Sequence, residues 1–188
     1  MLNILKEPPT IETERLTIRP LTMADDEAIY AYASDPEVAR YVSFDTAGSI
    51  EDTRIFLRSV LEGYANGTSP GSLGIVLKDE NKFIGTIGYL NRSNENKRIE
   101  IGYALSPVYW NNGFITEAAI ALINHFFTYG DLMRIEARCR LENISSARVM
   151  EKAGMKFEGI LRKHMFSKGE HHDMNMYSIL RDEWKPIK

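Results

Sequence analysis

The sequence predicts an α/β (α+β) domain: a mixed, mostly antiparallel sheet of about seven strands, flanked by helices on both faces. Three observations lead there. Apolar residues recur at helical spacing over residues 49–65 and 113–129. Short β-rich runs, separated by polar turn-forming segments, lie between and after those stretches. A strand–helix–strand passage over residues 99–141 requires one parallel pair, because a crossover helix returns the chain in the same direction.

The elements follow in order. Leu16, Ile18 and, after Pro20, Leu21 alternate with polar residues and predict a first strand over residues 15–21. Thr22, followed by Asp25 and Asp26, predicts a helix start, because acids suit the positive end of the helix dipole; that helix runs to about Ala33. Pro36 fits the first turn of a new helix after Ser34-Asp35. Ile50, Ile55, Phe56, Val60, Leu61 and Tyr64 define the helix over residues 49–65, and Asn66-Gly67 stops it. Residues 73–77, 83–90 and 99–105 predict a three-stranded antiparallel meander. The helix over residues 113–129 is apolar on most faces and so should be buried, with Gly130 as a left-handed end. A strand over residues 133–141 and a short helix over residues 144–153, closed by Gly154, come next. Two last strands, residues 157–166 and 172–180, turn at Lys168-Gly169-Glu170.

Composition excludes several function classes. With 188 residues the chain fits one domain, expected at residues 11–188 behind a mobile leader at residues 1–10. A net charge of −3 and the lack of a basic stripe give no reason to expect nucleic acid or an anionic membrane as partner. The leader carries Lys6, Glu7, Pro8 and Pro9, so it lacks the apolar core of a signal peptide. No apolar run approaches the roughly 20 residues of a membrane helix. One cysteine, Cys139, makes an internal disulfide impossible, so a reducing compartment, the cytoplasm, is expected. His171-His172 lacks a third ligand at suitable spacing and reads as a hairpin surface pair, so no metal is expected. Cys139, in an apolar strand, reads as buried filler, and Trp184 as a C-terminal core anchor.

Two stretches carry the chemistry. In the first, a strand leads through Pro107, Tyr109-Trp110 and Asn111-Asn112-Gly113 into the buried helix. The first turn of any helix leaves backbone N–H groups unpaired and bears a partial positive charge, so this turn is a ready phosphate site. It equally suits an ordinary strand–helix loop with a capping asparagine. In the second stretch, Asn143 is a good N-cap and Gly154 a good left-handed terminator of the helix between them. That pattern alone requires no ligand.

Together and in this order the stretches resemble the GNAT acetyltransferases, and among them the ribosomal-protein N-terminal (serine/alanine) acetyltransferases. The resemblance runs from Glu12-Thr13-Glu14-Arg15-Leu16 through Asp35-Pro36-Glu37-Val38 to Arg181-Asp182-Glu183-Trp184. Its specific parts are Glu100-Ile101-Gly102-Tyr103, then Tyr109-Trp110, Asn111-Asn112-Gly113-Phe114-Ile115 and Thr116-Glu117-Ala118. Asn143, Ser146, Glu151, Lys152 and Gly154 match a later family pattern. The resemblance implies two parallel strands that splay, with the pantetheine arm of acetyl-CoA between them. It places the pyrophosphate on backbone amides of Asn111, Asn112, Gly113, Phe114, Ile115 and Thr116, with Asn143 reaching the cofactor from the other strand. The family turn has Arg or Gln where Trp110 stands and Gly or Ala where Ile115 stands. A β-branched Ile115 is therefore expected to crowd the phosphate.

Acetyl transfer to an amine requires a neutral amine, a polarised thioester carbonyl and a proton for the leaving thiolate. Glu100 is the candidate base, through water. Ile99, Ile101, Tyr103 and Leu105 share one strand face, which turns Glu100 to the other. Its alternative reading is a surface glutamate. Backbone N–H groups near Leu105 are candidates to polarise the carbonyl. Many GNAT enzymes place a tyrosine acid where Met150 stands here; the resemblance passes that role to the hydroxyl of Ser146, which otherwise stabilises the helix start. Tyr41 and Phe44 line the acceptor cleft or pack it. The expected acceptor is a protein N-terminal amine, with a small amine such as a polyamine or antibiotic as rival. A non-catalytic acetyl-CoA-binding module is the other alternative.

Overall fold

The computed structural model describes residues 8–68 and 71–186, so most of the expected leader lies outside the described residues. Its strands are β1 (Ile11–Glu12), β2 (Leu16–Pro20), β3 (Gly71–Leu77), β4 (Lys82–Ser93), β5 (Arg98–Leu105), β6 (Arg134–Arg140), β7 (Lys156–Ser167) and β8 (Glu170–Leu180). Its helices are α1 (Asp26–Ala33), α2 (Pro36–Ala39), α3 (Ile50–Asn66), α4 (Phe114–Tyr129) and α5 (Ile144–Lys152). The eight strands form one sheet in the order β1-β2-β3-β4-β5-β6-β8-β7, antiparallel throughout except for the central pair β5–β6. The strand beyond the expected seven is β1, which at two residues is too short to show a period.

Local chemistry accounts for most boundaries. Ser49 caps α3 in a capping box with Asp52, and Gly67, at φ 63°, ends it in the left-handed conformation. Lys168 (φ 52°) and Gly169 (φ 83°) both take the positive φ that a two-residue hairpin turn between β7 and β8 demands. One expected device is absent. Gly130 is extended (φ −109°, ψ 169°), so it does not end α4 in a left-handed turn. The carbonyls there have another donor: Arg181 reaches Phe127 O at 3.0 Å, Gly130 O at 2.5 Å and Leu132 O at 2.5 Å. With those carbonyls satisfied, the chain can leave directly for β6.

The two sheet faces are covered separately. On one, α4 contributes Ile115, Ala118, Leu122, Ile123, Phe126 and Phe127 to a core with Ile99, Ile101, Ile135 and Cys139. Trp184 closes its edge, stacking on Phe127 at 5.4 Å and donating to Asn124 Oδ1 at 2.9 Å. On the other face, Leu21, Ile29, Tyr32, Val38, Leu57 and Val60 join α1, α2 and α3 in a smaller core. Each large apolar side chain so buried contributes about 1.5–3 kcal/mol. With both faces covered, the remaining opening lies in the middle of the sheet.

Candidate active site

The parallel pairing of β5 and β6 covers only Arg98–Arg134, Ile99–Ile135 and Glu100–Glu136. Beyond it β5 continues along β4 to Leu105, and β6 continues along β8 to Arg140. Residues 101–105 and 137–140 therefore diverge, each arm held on its outer side and unpaired with the other. Alternate residues of a strand point their N–H and C=O to opposite edges, so each arm offers backbone donors and acceptors to the gap. A ligand segment of strand-like polarity fits that gap better than an apolar one.

At the wide end of the gap lies the N-terminus of α4. Gly113 is its cap at φ 79°, in the left-handed region that suits glycine, and no side chain caps the first turn. The Glu117 N–H bonds to Gly113 O at 3.0 Å, which leaves the earlier amides of the turn facing outward. Asn111 is also left-handed, at φ 63°. Asn112 Nδ2 donates to Trp110 O at 3.0 Å, and the Trp110 indole donates to Leu105 O at 2.8 Å. Trp110 thus fastens the turn to the end of β5.

A carboxylate in the first helical turn would repel an anion, but Glu117 is turned away and neutralised. Its Oε2 receives Arg15 Nε at 2.7 Å, and its Oε1 receives Thr13 Oγ1 at 2.6 Å and Arg15 N at 3.0 Å. Burial works against its charge, yet the bonds from Thr13 and Arg15 prevail and hold its carboxyl below the usual range. Arg15 also donates to Asn112 O at 3.0 Å and lies 4.5 Å from the Phe114 ring centroid. The outcome is an uncapped helix start with a guanidinium beside it.

Ile115 does not crowd this turn. Its side chain is buried in the core that α4 packs against the sheet, which speaks against the crowding expected of it. The helix period directs the side chain inward and leaves only its backbone at the surface of the turn.

The opposite wall is the start of α5. Asn143 caps it, its Oδ1 accepting from Ser146 N at 3.1 Å. The Ser146 hydroxyl lies 3.0 Å from the Tyr103 hydroxyl, which also reaches Ser146 O at 3.2 Å. This contact ties the diverging arm of β5 to α5. Burial pushes the pKa of Tyr103 well above its ordinary value, so its hydroxyl stays protonated. Cys139 is buried beside it, and burial pushes its thiol up to about 11, which disfavours a nucleophilic thiolate. Met150 is in the core.

Glu100 sits at the throat, where the pairing ends. Its face is that of Gly102 and Ala104, opposite Thr86, whose hydroxyl lies 3.0 Å from Tyr32 of α1. The carboxylate is 6% exposed, which excludes the reading as a surface glutamate. Asn91 Nδ2 donates to Oε2 at 2.8 Å and Arg138 Nε to Oε1 at 2.9 Å; Arg138 in turn contacts His164. Sequence reasoning missed Arg138. Its signal was the strict alternation along β6, where Arg134, Glu136, Arg138 and Arg140 share one face and Ile135, Ala137 and Cys139 the other.

The remaining expected residues are dispersed. Tyr41, after α2, lies within 5.1 Å of Arg40 and 5.7 Å of Arg140, measured from ring centroid to guanidinium carbon. Phe44 is exposed. The two histidines are not a surface pair: His172 is buried, with Nε2 3.1 Å from Ser167 O. Among the described residues no cluster of three metal-ligating side chains occurs, and no helix is long and apolar enough to cross a membrane.

A sheet opened at its one parallel pair, with a bare helix start at the mouth, defines a class of acyl-CoA-using transferases, and comparison names it. Residues 15–156 match the family model described as the acetyltransferase (GNAT) domain. The chain belongs to the GNAT acetyltransferases and is an acetyl-CoA-dependent N-acetyltransferase. It is 35% identical over 173 residues to YoaA of Bacillus subtilis (strain 168), described as an uncharacterized N-acetyltransferase, covering 92% of this chain and 97% of that one. It is 34% identical over 103 residues to the ribosomal-protein-serine acetyltransferase of Escherichia coli (strain K12), covering 55% and 58%. A GNAT-family acetyltransferase from Bacillus anthracis superposes with a TM-score of 0.82 at 35% identity, over 93% of this chain and 99% of that one. RimL, a ribosomal L7/L12 α-N-protein acetyltransferase in complex with coenzyme A, shares the fold with a TM-score of 0.81 at 21% identity, over 93% and 99%.

Proposed function

We propose that the protein transfers the acetyl group of acetyl-CoA to the N-terminal α-amino group of a protein, with Glu100 as base and Ser146 as acid. The observation that carries this reading is the placement of Glu100 at the throat between the diverging strands, facing the α1–α3 side. The partial likeness to a ribosomal-protein-serine acetyltransferase supports a protein N-terminus, such as that of a ribosomal protein, over a polyamine or an antibiotic. Acetyl-CoA supplies an acetyl group already activated as a thioester.

The protein's groups have the following parts. Backbone amides of Asn111, Asn112, Gly113, Phe114, Ile115 and Thr116 hold the pyrophosphate, and Asn143, at the start of α5, contacts the cofactor from the far wall. An N–H near Leu105 polarises the thioester carbonyl. Glu100 accepts from Asn91 and Arg138, and a carboxylate offers about four lone-pair positions, so it retains sites for a water. Through that water it takes the proton of the amine. The amine nitrogen bonds to the carbonyl carbon as the carbon–sulfur bond breaks. Ser146, held by its hydrogen bond with Tyr103, then gives its proton to the departing sulfur. The proton taken up by Glu100 leaves to solvent through the same water, and solvent returns one to Ser146, which restores both groups. An α-amine with a pKa of about 7.7–8.0 suits a modest base, whereas a lysine at about 10.4 asks for more. Tyr41 and Phe44 stand on the acceptor side.

The experiment is acetylation of short peptides with Ser or Ala first and an internal Lys, read by mass spectrometry. Acetyl on the α-amine supports the proposal. Acetyl only on lysine, or turnover confined to small amines, would overturn the choice of acceptor. Acetyl-CoA binding with no product from any amine would favour a non-catalytic binding module.

A further inference from the structure

Arg140, the last residue of β6, is a cation with few partners. Its Nε is sealed from solvent and makes no hydrogen bond among the described residues. The nearest carboxylate, Glu142 Oε2, is 3.5 Å from that Nε, on a side chain 62% exposed. Its other contact is a long one, Nη1 to Arg40 O at 3.4 Å, and Nη2 has no hydrogen-bond acceptor among the described residues. The Tyr41 ring fixes the guanidinium from one side at 5.7 Å. Nearby, Lys168 donates to Ala39 O rather than to a carboxylate. Arg40 also lies over Tyr41, and its partner Glu37 is at 3.4 Å with both side chains more than half exposed. Positive charge is therefore left over at this end of the cleft.

Its place matters as much as its charge. Arg140 shares the strand face of Glu136 and Arg138, the face on which Glu100 lies. It stands on the diverging arm, beyond Glu136, the last β6 residue paired with β5. At about 3.3 Å per residue, the throat and Arg140 are about 13 Å apart along the strand. An extended peptide covers that distance in about four residues.

We infer that the cleft selects acceptor peptides with an Asp or Glu within about their first four residues, whose carboxylate is received by Arg140. This rests on the peptide reading above. The Nη1 and Nη2 end of the guanidinium, whose one hydrogen bond among the described residues is the long contact to Arg40 O, matches a carboxylate in fork geometry, which a lysine cannot reproduce. Lys168 and Arg40 add a field that attracts the same charge and repels basic N-termini.

The test compares peptides with Ser first and Asp, Ala or Lys at positions two to four, alongside small amines matched with and without a carboxylate. The expected ratio of kcat/KM, acidic over neutral, is about tenfold or more. It should fall toward one in Arg140→Gln, stay reduced in Arg140→Lys, and invert toward the basic peptide in Arg140→Glu. Each ratio is internal to one variant, so a general loss of activity does not mimic the effect. Peptides acetylated by the unaltered protein without charge preference, or with a basic one, overturn this inference and leave the peptide reading intact. If no peptide reacts, the peptide reading falls; the matched small amines then decide on Arg140, a carboxylate preference supporting its role and none overturning it. No turnover with any amine overturns both.

Discussion

Glu100 joins three strands through its partners: Asn91 lies in β4, Arg138 in β6 and Glu100 itself in β5. The proposed role makes a prediction that a structural role does not. Glu100→Gln keeps the shape and the contact with Asn91 but loses basicity. Turnover should fall by about 10²–10⁴ with acetyl-CoA affinity nearly unchanged. The deficit should shrink as pH rises past about 7.7–8.0, because more of the α-amine is then already neutral. Ser146→Ala should slow turnover without that rescue. A Glu100→Gln profile overlaying that of the parent assigns Glu100 to structure. Ile115 makes a second prediction. As a core side chain it should cost about 2–5 kcal/mol of stability when cut to Ala, read by denaturant unfolding. Tighter coenzyme A binding in Ile115→Ala at unchanged stability would restore the crowding expected from sequence. At this scale sequence reasoning succeeded where a residue's type fixed its role, as for Asn143 the cap. It failed where the partner is distant in sequence: nothing local announces that Arg138 meets Glu100 or that Arg181 closes α4.

Among the elements, α4 bears most of the functional load. In the proposed site its uncapped first turn receives the pyrophosphate, and Gly113 reaches that geometry at φ 79°. Gly113→Ala keeps the N–H but forces a side chain into the left-handed region, at a cost of about 1–2 kcal/mol. Gly113→Pro removes the N–H and cannot adopt a positive φ. Coenzyme A affinity by calorimetry should therefore weaken moderately in Gly113→Ala and collapse in Gly113→Pro. Equal losses would argue against backbone recognition of phosphate. The elements themselves were legible because each has a strong period or a clear stop. The long helices, the meander and the closing hairpin all lie within a few residues of their expected bounds. Two features were not legible. β1 is too short to show alternation, and Gly130 adopts an extended conformation that its residue type does not demand.

For the whole molecule, the arrangement follows from one parallel pair in an antiparallel sheet. The strand–helix–strand pattern made that pair predictable. How far the pairing runs was not, because register depends on what covers both faces rather than on β5 or β6 alone. The answer is three residue pairs, after which the strands part. The gap is sustained from outside: β4 and β8 hold the two arms apart, while α4 and α5 cover one face and α1–α3 the other. An acetyl-CoA site in that gap calls for backbone donors on both sides of the opening to become protected together. Amide hydrogen exchange with and without coenzyme A measures this directly, since ligand binding slows exchange where it seals the backbone. Slower exchange is expected at residues 101–105 on the diverging arm and at residues 113–116 at the start of α4. Unchanged exchange at both segments under saturating coenzyme A, with protection elsewhere, would contradict a cofactor site between the strands.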